Sequence, residues 1–381
     1  MTDNIVIAGI GQTAVGEHWQ FSIRELAHFA LEAAIKDAGG LRPQALFVGN
    51  MLAPNLSRQA HLGALIADFS GLIGIEATSI EAAGASGGAA LRQGYLAVKS
   101  GMVDVALVVG VEKFTDLVDA KVEDALATAT DSDFEAVQGL TPTSQAAMLM
   151  QRYFHEYNIP ADGLAGFPVT AHANAAENPN AMFQRAIKAA TYARAGMVSP
   201  PLNIFDAAPP ADGAAAIILT RSELLPAHNH HRLVRVSGSA SASDMLTLHD
   251  RKNPLTFDAA RRSVENALSK AGITRDEISF FEYHDAYSIY AALSLEAAGF
   301  AEKGKGWELA RDGAITPEGR IPCAIAGGLK ARGYPGGATG VYQAVEAATK
   351  LRDESDTDAV GMIQSLGGPA STAVTHILEA I

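Results

Sequence analysis

The side chains that can do chemistry lie in short segments rich in polar residues or glycine. His284 opens a His-Asp-Ala-Tyr sequence, and Tyr334 stands in a Gly-Tyr-Pro-Gly-Gly sequence. An imidazole or a phenol transfers protons where its surroundings assist, although the unperturbed pKa of a phenol is about 10. Ser86 and Ser365 carry hydroxyl groups that become nucleophiles only when they are activated. These residue types favour acid–base chemistry, with acyl transfer through a serine as the alternative.

Sulfur and metal chemistry have less support in the sequence. Cys323 is the single cysteine, which excludes an internal disulfide and a cysteine-based zinc site. It lies in the apolar sequence Ile-Pro-Cys-Ala-Ile-Ala and is predicted to be a buried core thiol. His228, His230 and His231 are close together in a polar linker, which we interpret as a solvated turn. We therefore predict no metal site.

Two halves of the chain repeat one order of elements, and this order must position the reactive residues. In the first half the pattern predicts a strand over 4–11, a helix over 22–38, a strand over 45–49, a helix over 87–98 and a strand over 103–110. In the second half it predicts a strand over 233–238, a helix over 256–272, a strand over 278–283, a helix over 336–348 and a strand over 359–363. Continuous apolar strands alternating with helices indicate sheets that are covered by helices on both faces.

A segment rich in Asp, Thr, Asn, Pro and Met interrupts the repeat. We divide the chain into an N-terminal half (1–114 and 201–225), an inserted segment (115–200) and a C-terminal half (226–381). Long insertions in compact proteins are usually functional and commonly cover a ligand site. The inserted segment is therefore expected to cover the site.

The charge of the chain limits its partners. Acidic residues number 42 against 29 basic ones, and the net charge is -13. Nucleic acids and anionic membranes reward basic surfaces, so neither is an expected partner. The N-terminal residues are predicted to form a strand rather than a signal peptide. We expect a cytoplasmic protein.

Several segments together resemble a known family. In chain order they are Glu81-Ala-Ala-Gly-Ala-Ser-Gly-Gly, 111–114, 172–180, 197–202 with Asp206 and 211–216, His284-Asp-Ala-Tyr, and 327–340. The set resembles the thiolase superfamily and its sterol-carrier-protein-X branch, which also includes archaeal acetoacetyl-CoA thiolases. The resemblance covers about the whole chain. It implies the five-layer α/β/α/β/α thiolase fold built from two repeated halves, usually assembled as a dimer or a dimer of dimers.

The chain departs from the family at the residues that carry thiolase chemistry. Gly84 stands where the nucleophilic cysteine is expected, Tyr334 where the activating histidine is expected, and Ala286 where a second cysteine is expected. Glycine has no side chain and cannot form an acyl-enzyme. The resemblance therefore implies that thiolysis by the family mechanism is not available.

The resemblance also implies roles for the residues that remain. His284 would bind the thioester oxygen, the backbone N–H groups of Gly84 and Gly367 would form the other oxyanion hole, and Tyr334 would be the acid/base. Possible supporting residues are Tyr283, Asp285, Tyr287 and Ser365. Lys113, Lys330 and Arg332 are expected in solvated positions, from which they could also meet CoA phosphates.

These roles suit the cleavage of a β-hydroxyacyl-CoA. A retro-aldol reaction forms a thioester enolate and needs no covalent acyl-enzyme. The pattern is similar to the thiolase-like aldolases that shorten CoA-activated steroid side chains, which work with a small partner carrying an OB fold and a zinc ribbon. Coenzyme A would be part of the substrate, with no covalently bound cofactor. The missing side chain at Gly84 is expected to free space for a bulky β-substituent.

Two other functions stay open at this point. The chain could be a non-catalytic acyl-CoA or lipid carrier, or a scaffold subunit, whose active site has decayed. It could also be an acyltransferase with an unusual nucleophile such as Ser86 or Ser365, although Ser86 is more simply read as a support for its loop. A protein that binds CoA esters without turnover would favour the carrier, and an acyl adduct would favour the transferase.

Overall fold

The structure is a computed structural model that describes residues 4–118, 120–226, 231–353 and 358–381. His228 and His230 lie outside these residues, so the interpretation of their cluster as a solvated turn stays a prediction. Within the described ranges, no helix is both long enough and apolar enough to cross a membrane.

The chain forms eleven strands and thirteen α-helices in these ranges. The strands are β1 (Ile5–Gln12), β2 (Ala45–Gly49), β3 (Glu76–Ile80), β4 (Val105–Glu112), β5 (Met197–Ser199), β6 (Leu202–Asn203), β7 (Gly213–Arg221), β8 (Val234–Ser243), β9 (Phe280–Glu282), β10 (Val360–Gly367) and β11 (Thr372–Ala380). The helices are α1 (Ile23–Asp37), α2 (Ala53–Leu56), α3 (Leu62–Phe69), α4 (Ser86–Lys99), α5 (Ala120–Ala127), α6 (Pro142–Tyr157), α7 (Gly166–Ala175), α8 (Ala189–Tyr192), α9 (Asp258–Ala271), α10 (Ser288–Ala297), α11 (Gly306–Arg311), α12 (Gly328–Arg332) and α13 (Thr339–Asp353). Each predicted strand and helix of the two halves overlaps an observed one.

Local signals explain where the elements begin. Ser22 caps α1, and the side chain of Glu25 accepts from the Ser22 N–H, which completes a capping box. The buried residues of α1 recur at helical spacing, so one face of this helix packs on the sheet. All residues of β4 are buried, as expected for a strand covered on both faces.

The strands join in the order β3-β2-β4-β7-β1-β8-β11-β10-β9. The two halves of this order meet at β1 and β8, where only Val6↔Arg235 and Ile7↔Val234 are paired. The first half therefore contributes the five neighbouring strands β3, β2, β4, β7 and β1. The second half contributes the other four, β8, β11, β10 and β9. Two half-sheets connected by so short a ladder can stack as separate layers.

The helices complete a five-layer arrangement. The central helices α4 and α13 pack against each other and against strands of both half-sheets. On the outside, α1 covers β1 and β7, and α9 covers β8 and β11. The predicted five-layer α/β/α/β/α fold of two repeated halves is confirmed.

The inserted segment packs mainly on the second half. Its helix α7 contacts α11 and α12, and α6 contacts α10. The Tyr153 hydroxyl donates to the Glu296 carboxylate, which connects α6 to α10. The insertion is thereby placed above the ends of the strands that carry the predicted site.

Candidate functional site

A cavity of about 590 Å³ lies where the two halves and the inserted segment meet. Its wall includes Met51 and Gly84 from the first half, Glu123, Leu126, Thr143, His172, Phe183 and Arg185 from the inserted segment, and His284, Ala286, Tyr287, Tyr290, Lys330, Tyr334 and Gly368 from the second half. Most of this wall is carbon, with a few polar groups, as is usual for sites that bind organic ligands. Residues distant in sequence thus converge on one space.

Gly84 lies in a tight turn that leads into α4. Ala83 adopts a left-handed backbone with φ 50°, which is uncommon for a residue with a side chain. The Ser86 hydroxyl donates to the Ala83 carbonyl at 2.6 Å and accepts from the Ala82 N–H at 2.9 Å. Ser86 therefore supports the loop and is not a free nucleophile in the cavity.

The space above Gly84 is filled. A Cβ atom built on Gly84 would lie 2.6 Å from the Leu366 carbonyl oxygen, 2.8 Å from the Tyr334 hydroxyl oxygen and 3.1 Å from Cε1 of His284. Contacts under about 3.0 Å require neighbours to move, so position 84 cannot hold a larger side chain as the structure stands. The expectation that Gly84 leaves free room for a substituent is wrong, because the phenol of Tyr334 occupies that room.

His284 is a neutral imidazole at this point. It is 2% exposed, and its ring meets that of Tyr334 edge-on, with 5.6 Å between the centroids. Burial, and then the nearby charge of Arg332, lower the pKa of His284 to about 3. Its Nδ1 is fully buried without a hydrogen-bond partner among the described residues, so Nε2 is the nitrogen left to face the cavity. His284 can donate one hydrogen bond to an oxygen there.

Tyr334 is held from both sides of its backbone. Its N–H donates to the Pro209 carbonyl at 2.9 Å, and its carbonyl accepts from the Ala211 N–H at 3.0 Å. Burial, and then the neighbouring Tyr287, raise the pKa of the Tyr334 phenol. The phenol therefore stays protonated at neutral pH, and it is suited to give a proton rather than to take one.

Of the predicted supporting residues, Tyr287 lines the cavity, and Asp285 is buried outside its wall. The Asp285 carboxylate accepts from the Leu329 N–H at 2.7 Å, which fixes the start of α12. The Tyr287 hydroxyl lies on the cavity wall and 2.9 Å from the Thr143 hydroxyl.

Three other predicted residues do not line the cavity. Tyr283 packs against Phe167 and Phe281 in the core. The Ser365 hydroxyl is buried without a partner in the described structure and faces Gly88 of α4, so it has no access to the cavity. Gly367 ends β10, and it is the next residue, Gly368, that reaches the wall.

The three predicted surface cations are buried instead. Lys113, Lys330 and Arg332 are 4%, 2% and 1% exposed. Lys113 pairs with Asp212 at 3.4 Å, Lys330 donates to the Asp206 carbonyl at 2.7 Å, and Arg332 pairs with Glu346 at 3.2 Å. The prediction of solvated positions is wrong, because each of these cations contacts a residue of another segment of the chain in the interior. Arg185 is the exposed cation on the cavity wall.

Sequence reasoning missed Glu123 and did not assign a site role to His172. Glu123 is a half-buried carboxyl on α5, and its oxygens lie 3.4 Å from the Thr143 hydroxyl. His172 lies in α7 with Nδ1 3.2 Å from the Arg185 carbonyl oxygen. Both residues belong to the inserted segment, where no repeat or motif indicated the direction of a side chain.

The single thiol of the chain, that of Cys323, does not line the cavity. The Cys323 thiol is buried and donates to the Ile321 carbonyl at 3.2 Å, as predicted for a core thiol. Burial raises its pKa well above the usual value. Among residues 4–118, 120–226, 231–353 and 358–381, no three His, Cys, Asp or Glu side chains are arranged so that they could hold a metal ion together.

Comparison with protein families and curated sequences gives matches along the chain. Residues 5–223 match the family model of the thiolase N-terminal domain, and residues 240–380 match that of the thiolase C-terminal domain-like region. The chain is 41% identical to an acetyl-CoA acetyltransferase of Methanothermobacter thermautotrophicus, with 99% of each chain covered. It is 26% identical to a steroid side-chain-cleaving aldolase of Thermomonospora curvata, with 96% of each chain covered.

A solved structure extends the likeness to the whole fold. The Ltp2-ChsH2(DUF35) aldolase superposes with a TM-score of 0.82 at 22% identity, over 99% of this chain and 98% of that chain. At this identity the likeness establishes the architecture alone. Because the similar proteins are named for two different reactions, the geometry of the cavity must decide between them.

Proposed function

This chain belongs to the thiolase family, and from that membership we propose that it cleaves a carbon–carbon bond in β-hydroxyacyl-CoA thioesters by a retro-aldol reaction. No acyl-enzyme forms in this reaction. The similarity to a protein named as a steroid side-chain-cleaving aldolase supports the proposal. The higher identity to a protein named as an acetyl-CoA acetyltransferase keeps acyl transfer as the second candidate.

One observation carries the choice between these reactions. The Tyr334 hydroxyl lies 2.8 Å from the point where a Cβ atom of residue 84 would be. A nucleophilic thiol at this position would have to displace the phenol. A proton donor therefore stands where acyl transfer would need a nucleophile, and the buried Cys323 does not line the cavity.

The remaining groups suit an enolate. The thioester oxygen accepts from Nε2–H of His284 and from the backbone N–H of Gly84, both of which belong to residues of the cavity wall. As the Cα–Cβ bond breaks, its electron pair moves into the thioester enolate and the β-carbon leaves as a ketone or aldehyde. The Tyr334 phenol then protonates Cα. Each such oxyanion donor contributes about 3 kcal/mol of transition-state stabilisation in comparable sites.

The cavity wall favours an apolar acyl chain. Aromatic side chains of Phe183, Phe205, Tyr287 and Tyr290 line it, and the exposed Arg185 is a cation on the same wall. Burial of apolar surface gives roughly 25 cal/mol per Å². A hydrophobic β-substituent would thus bind against these rings while coenzyme A, as part of the substrate, extends outward.

The proposal includes an assembly. The structurally similar aldolase is named as a complex of Ltp2 with ChsH2(DUF35). By analogy we expect a small OB-fold zinc-ribbon partner for this chain, in addition to a homodimer or higher assembly in the cytoplasm. Co-elution of the chain with such a protein encoded nearby tests the partner, and light scattering of the chain alone tests the dimer.

Two assays separate the candidate reactions. The protein, with and without its partner, is incubated with β-hydroxyacyl-CoA esters of increasing β-substituent size, and the carbonyl product and shortened acyl-CoA are measured. In parallel, intact mass is measured after incubation with acetyl-CoA and acetoacetyl-CoA. Cleavage with an unmodified mass is expected. An acyl adduct with release of CoA would favour acyl transfer instead, and binding without turnover would favour a non-catalytic carrier.

Replacing the phenol tests the assigned proton donor. Tyr334→Phe removes one hydroxyl group and should lower kcat for cleavage by about 100-fold or more, since general acid–base groups contribute about 10²–10⁴-fold. Substrate KM should change little. Tyr95→Phe is the matched control, because Tyr95 lies in the core away from the cavity wall and its hydroxyl accepts a hydrogen bond from Lys99. Full activity in Tyr334→Phe would remove this residue from the mechanism.

A further inference from the structure

A retro-aldol reaction needs an acceptor for the proton of the β-hydroxyl group, and neither assigned side chain supplies one well. Burial keeps the Tyr334 phenol protonated at neutral pH. His284 has a pKa lowered to about 3, mainly by burial, which makes its free nitrogen a weak base. The acceptor must therefore be another group on the cavity wall.

We propose that the Glu123 carboxylate is the general base that takes the β-hydroxyl proton. This assignment rests on the proposed retro-aldol function and adds a residue to it. Glu123 is carried by α5 of the inserted segment and lines the cavity together with Tyr334 and His284. Among the described residues that line the cavity, Glu123 is the one with a carboxyl side chain. Glutamate accepts a proton when it is in the carboxylate form.

Hydrogen bonds give Glu123 a defined orientation. Both of its carboxylate oxygens lie 3.4 Å from the Thr143 hydroxyl oxygen, which in turn lies 2.9 Å from the Tyr287 hydroxyl oxygen. A hydroxyl group has one hydrogen, so Thr143 can donate to Glu123 only if Tyr287 donates to Thr143. With Glu123 ionised, the series of donors runs from Tyr287 through Thr143 to the Glu123 carboxylate.

The surroundings also adjust the basicity of Glu123. Partial burial raises its pKa, while the hydroxyl groups of Thr143 and Thr141 lower it. Tyr287 is the titratable side chain that faces it from the N-cap of α10, and burial raises the pKa of that phenol, so it stays neutral. A carboxylate whose pKa is raised is a stronger base, once ionised, than an ordinary carboxylate.

The proton balance of the cycle closes with these residues. The β-hydroxyl O–H bond breaks and its proton goes to Glu123, while the oxygen electrons form the carbonyl bond and the Cα–Cβ pair becomes the enolate. Tyr334 gives its proton to Cα and becomes a phenolate. The proton held by Glu123 then returns to Tyr334 through water or the Tyr287 hydroxyl, and both groups regain their starting states.

His172 is the competing base on the same wall. A carbonyl oxygen only accepts hydrogen bonds, so the contact with the Arg185 carbonyl places the proton on Nδ1 and leaves Nε2 as a free acceptor. Its ring packs against Phe183 and Phe205, however, and no hydrogen bond to the Tyr287 series is observed in the described chain. The test must therefore distinguish the two residues.

The experiment compares Glu123→Gln with Asp124→Asn and His172→Asn on the β-hydroxyacyl-CoA that the wild-type complex cleaves best. Asp124 is the next residue of α5, is exposed and does not line the cavity, so its variant makes the same charge change without touching the site. We expect Glu123→Gln to lower kcat by about 100-fold or more with little change in KM. Asp124→Asn should be unchanged. Circular dichroism and thermal unfolding verify that each variant is folded.

The pH profile gives a second readout that a structural role would not change. Wild-type kcat/KM should rise with pH as Glu123 loses its proton, and this acidic limb should disappear from the residual activity of Glu123→Gln. Thr143→Val removes a hydrogen bond that lowers the pKa of Glu123, so the limb should move to higher pH. The assignment would be contradicted if the acidic part of the pH profile stayed at the wild-type pH in both Glu123→Gln and Thr143→Val.

The outcomes separate the assignment from the function on which it rests. If wild-type protein and partner cleave no substrate of the series, the retro-aldol function fails and the assignment fails with it. If the wild type is active and Glu123→Gln is equally active, only the assignment is overturned. The same holds if activity is lost in His172→Asn and retained in Glu123→Gln, which would make His172 the base.

Discussion

Three segments of the chain meet at a single backbone atom, the Cα of Gly84. The carbonyl oxygen of Leu366, the hydroxyl oxygen of Tyr334 and the imidazole of His284 all lie within 3.1 Å of the point where its Cβ would be. Glycine and tyrosine therefore depend on each other, since the phenol can reach this point only when residue 84 has no side chain. A single reverse substitution at position 84 is not expected to restore acyl-transfer chemistry.

Gly84→Cys tests this dependence directly. Overpacking of a filled site costs about 1–3 kcal/mol, so the free energy of unfolding should fall by that amount. Acetyl-CoA should leave no acyl adduct on the introduced thiol, because no histidine stands at position 334 to activate it. Urea unfolding and intact mass are the two measurements. Gly196→Cys is the control, because nothing lies within 4 Å of a Cβ built there.

A second substitution shows whether the phenol is the obstacle. In the double variant Gly84→Cys with Tyr334→Phe, the hydroxyl contact is removed, and the contacts with the Leu366 carbonyl and the His284 ring remain. Residues in contact couple in double-mutant cycles, so the two losses of stability should sum to more than the measured loss. Additive losses would mean that the two positions do not compete for the same space.

At the level of elements, the end of β4 holds the two halves in register near the site. Glu112 is fully buried, and its two carboxylate oxygens accept four N–H groups. Oε1 accepts from the Asn50 side chain at 2.8 Å and from the Leu52 N–H at 3.1 Å, and Oε2 accepts from the Met51 N–H at 2.9 Å and the Gly337 N–H at 3.0 Å. Gly337 lies in the turn just before α13 in the second half, so one side chain connects segments from both halves.

The isosteric change Glu112→Gln should expose this connection. Each oxygen serves two donors, so the amide NH₂ of glutamine faces two N–H groups in either orientation. Unsatisfied buried donors cost about 1–3 kcal/mol each, and we expect the free energy of unfolding to fall by at least about 2 kcal/mol. Urea denaturation measures it. Glu318→Gln, an exposed glutamate in a loop, should be neutral, and an equal effect in both variants would contradict this role.

The elements themselves were predictable because their signals are local. Ser22 with Glu25, and the apolar spacing of α1, specify that helix without reference to the rest of the chain. The presence of His284 and Tyr334 on one cavity wall followed from family resemblance, and their roles stay predictions. Glu123 did not, since a single glutamate on an amphipathic helix is ordinarily a solvated residue. Its contact with Thr143 and Tyr287 depends on packing between distant segments, which periodicity does not encode.

At the level of the whole molecule, buried charges lie beneath the cavity. Glu282, Asp285 and Glu346 are buried together with Lys330 and Arg332. Burial, and then the neighbouring Glu346, raise the pKa of Glu282 well above its usual value. Burial raises the pKa of Glu346 to about 7, and Arg332 opposes that shift. Sequence reasoning placed Lys330 and Arg332 in solvent because residue type alone favours it, and only the tertiary structure provides their carboxylate partners.

This cluster predicts a pH dependence of stability. The pKa of Glu346 is about 7 in the folded chain and about 4.5 in an ordinary environment. Between these two values the folded state binds more protons than the unfolded state. The contribution of Glu346 to stability is therefore fully present below about pH 4.5, and it is lost as the pH rises to about 7. The slope from one such group is at most about 1.4 kcal/mol per pH unit.

Glu346→Gln isolates this contribution. Glutamine does not ionise, so the fall in unfolding free energy between about pH 5 and about pH 7 should be smaller than in the wild type. The absolute stability of the variant should also fall, because Arg332 loses its carboxylate. The slope is therefore the readout, measured by urea unfolding across the pH range. Identical slopes for the wild type, Glu346→Gln and Glu318→Gln would exclude a role for Glu346.

The burial of Cys323 has a consequence for how long the protein keeps working under oxidative stress. A catalytic thiolate is open to peroxide, which carries it through sulfenic to irreversible sulfinic and sulfonic acids. Here the one thiol is sealed in the core, and the groups assigned to proton transfer are an imidazole, a phenol and a carboxylate. Met51 places a thioether on the cavity wall, and methionine sulfoxide can be reduced again. If the proposed function holds, irreversible oxidation of a catalytic thiol would not limit the lifetime of this protein.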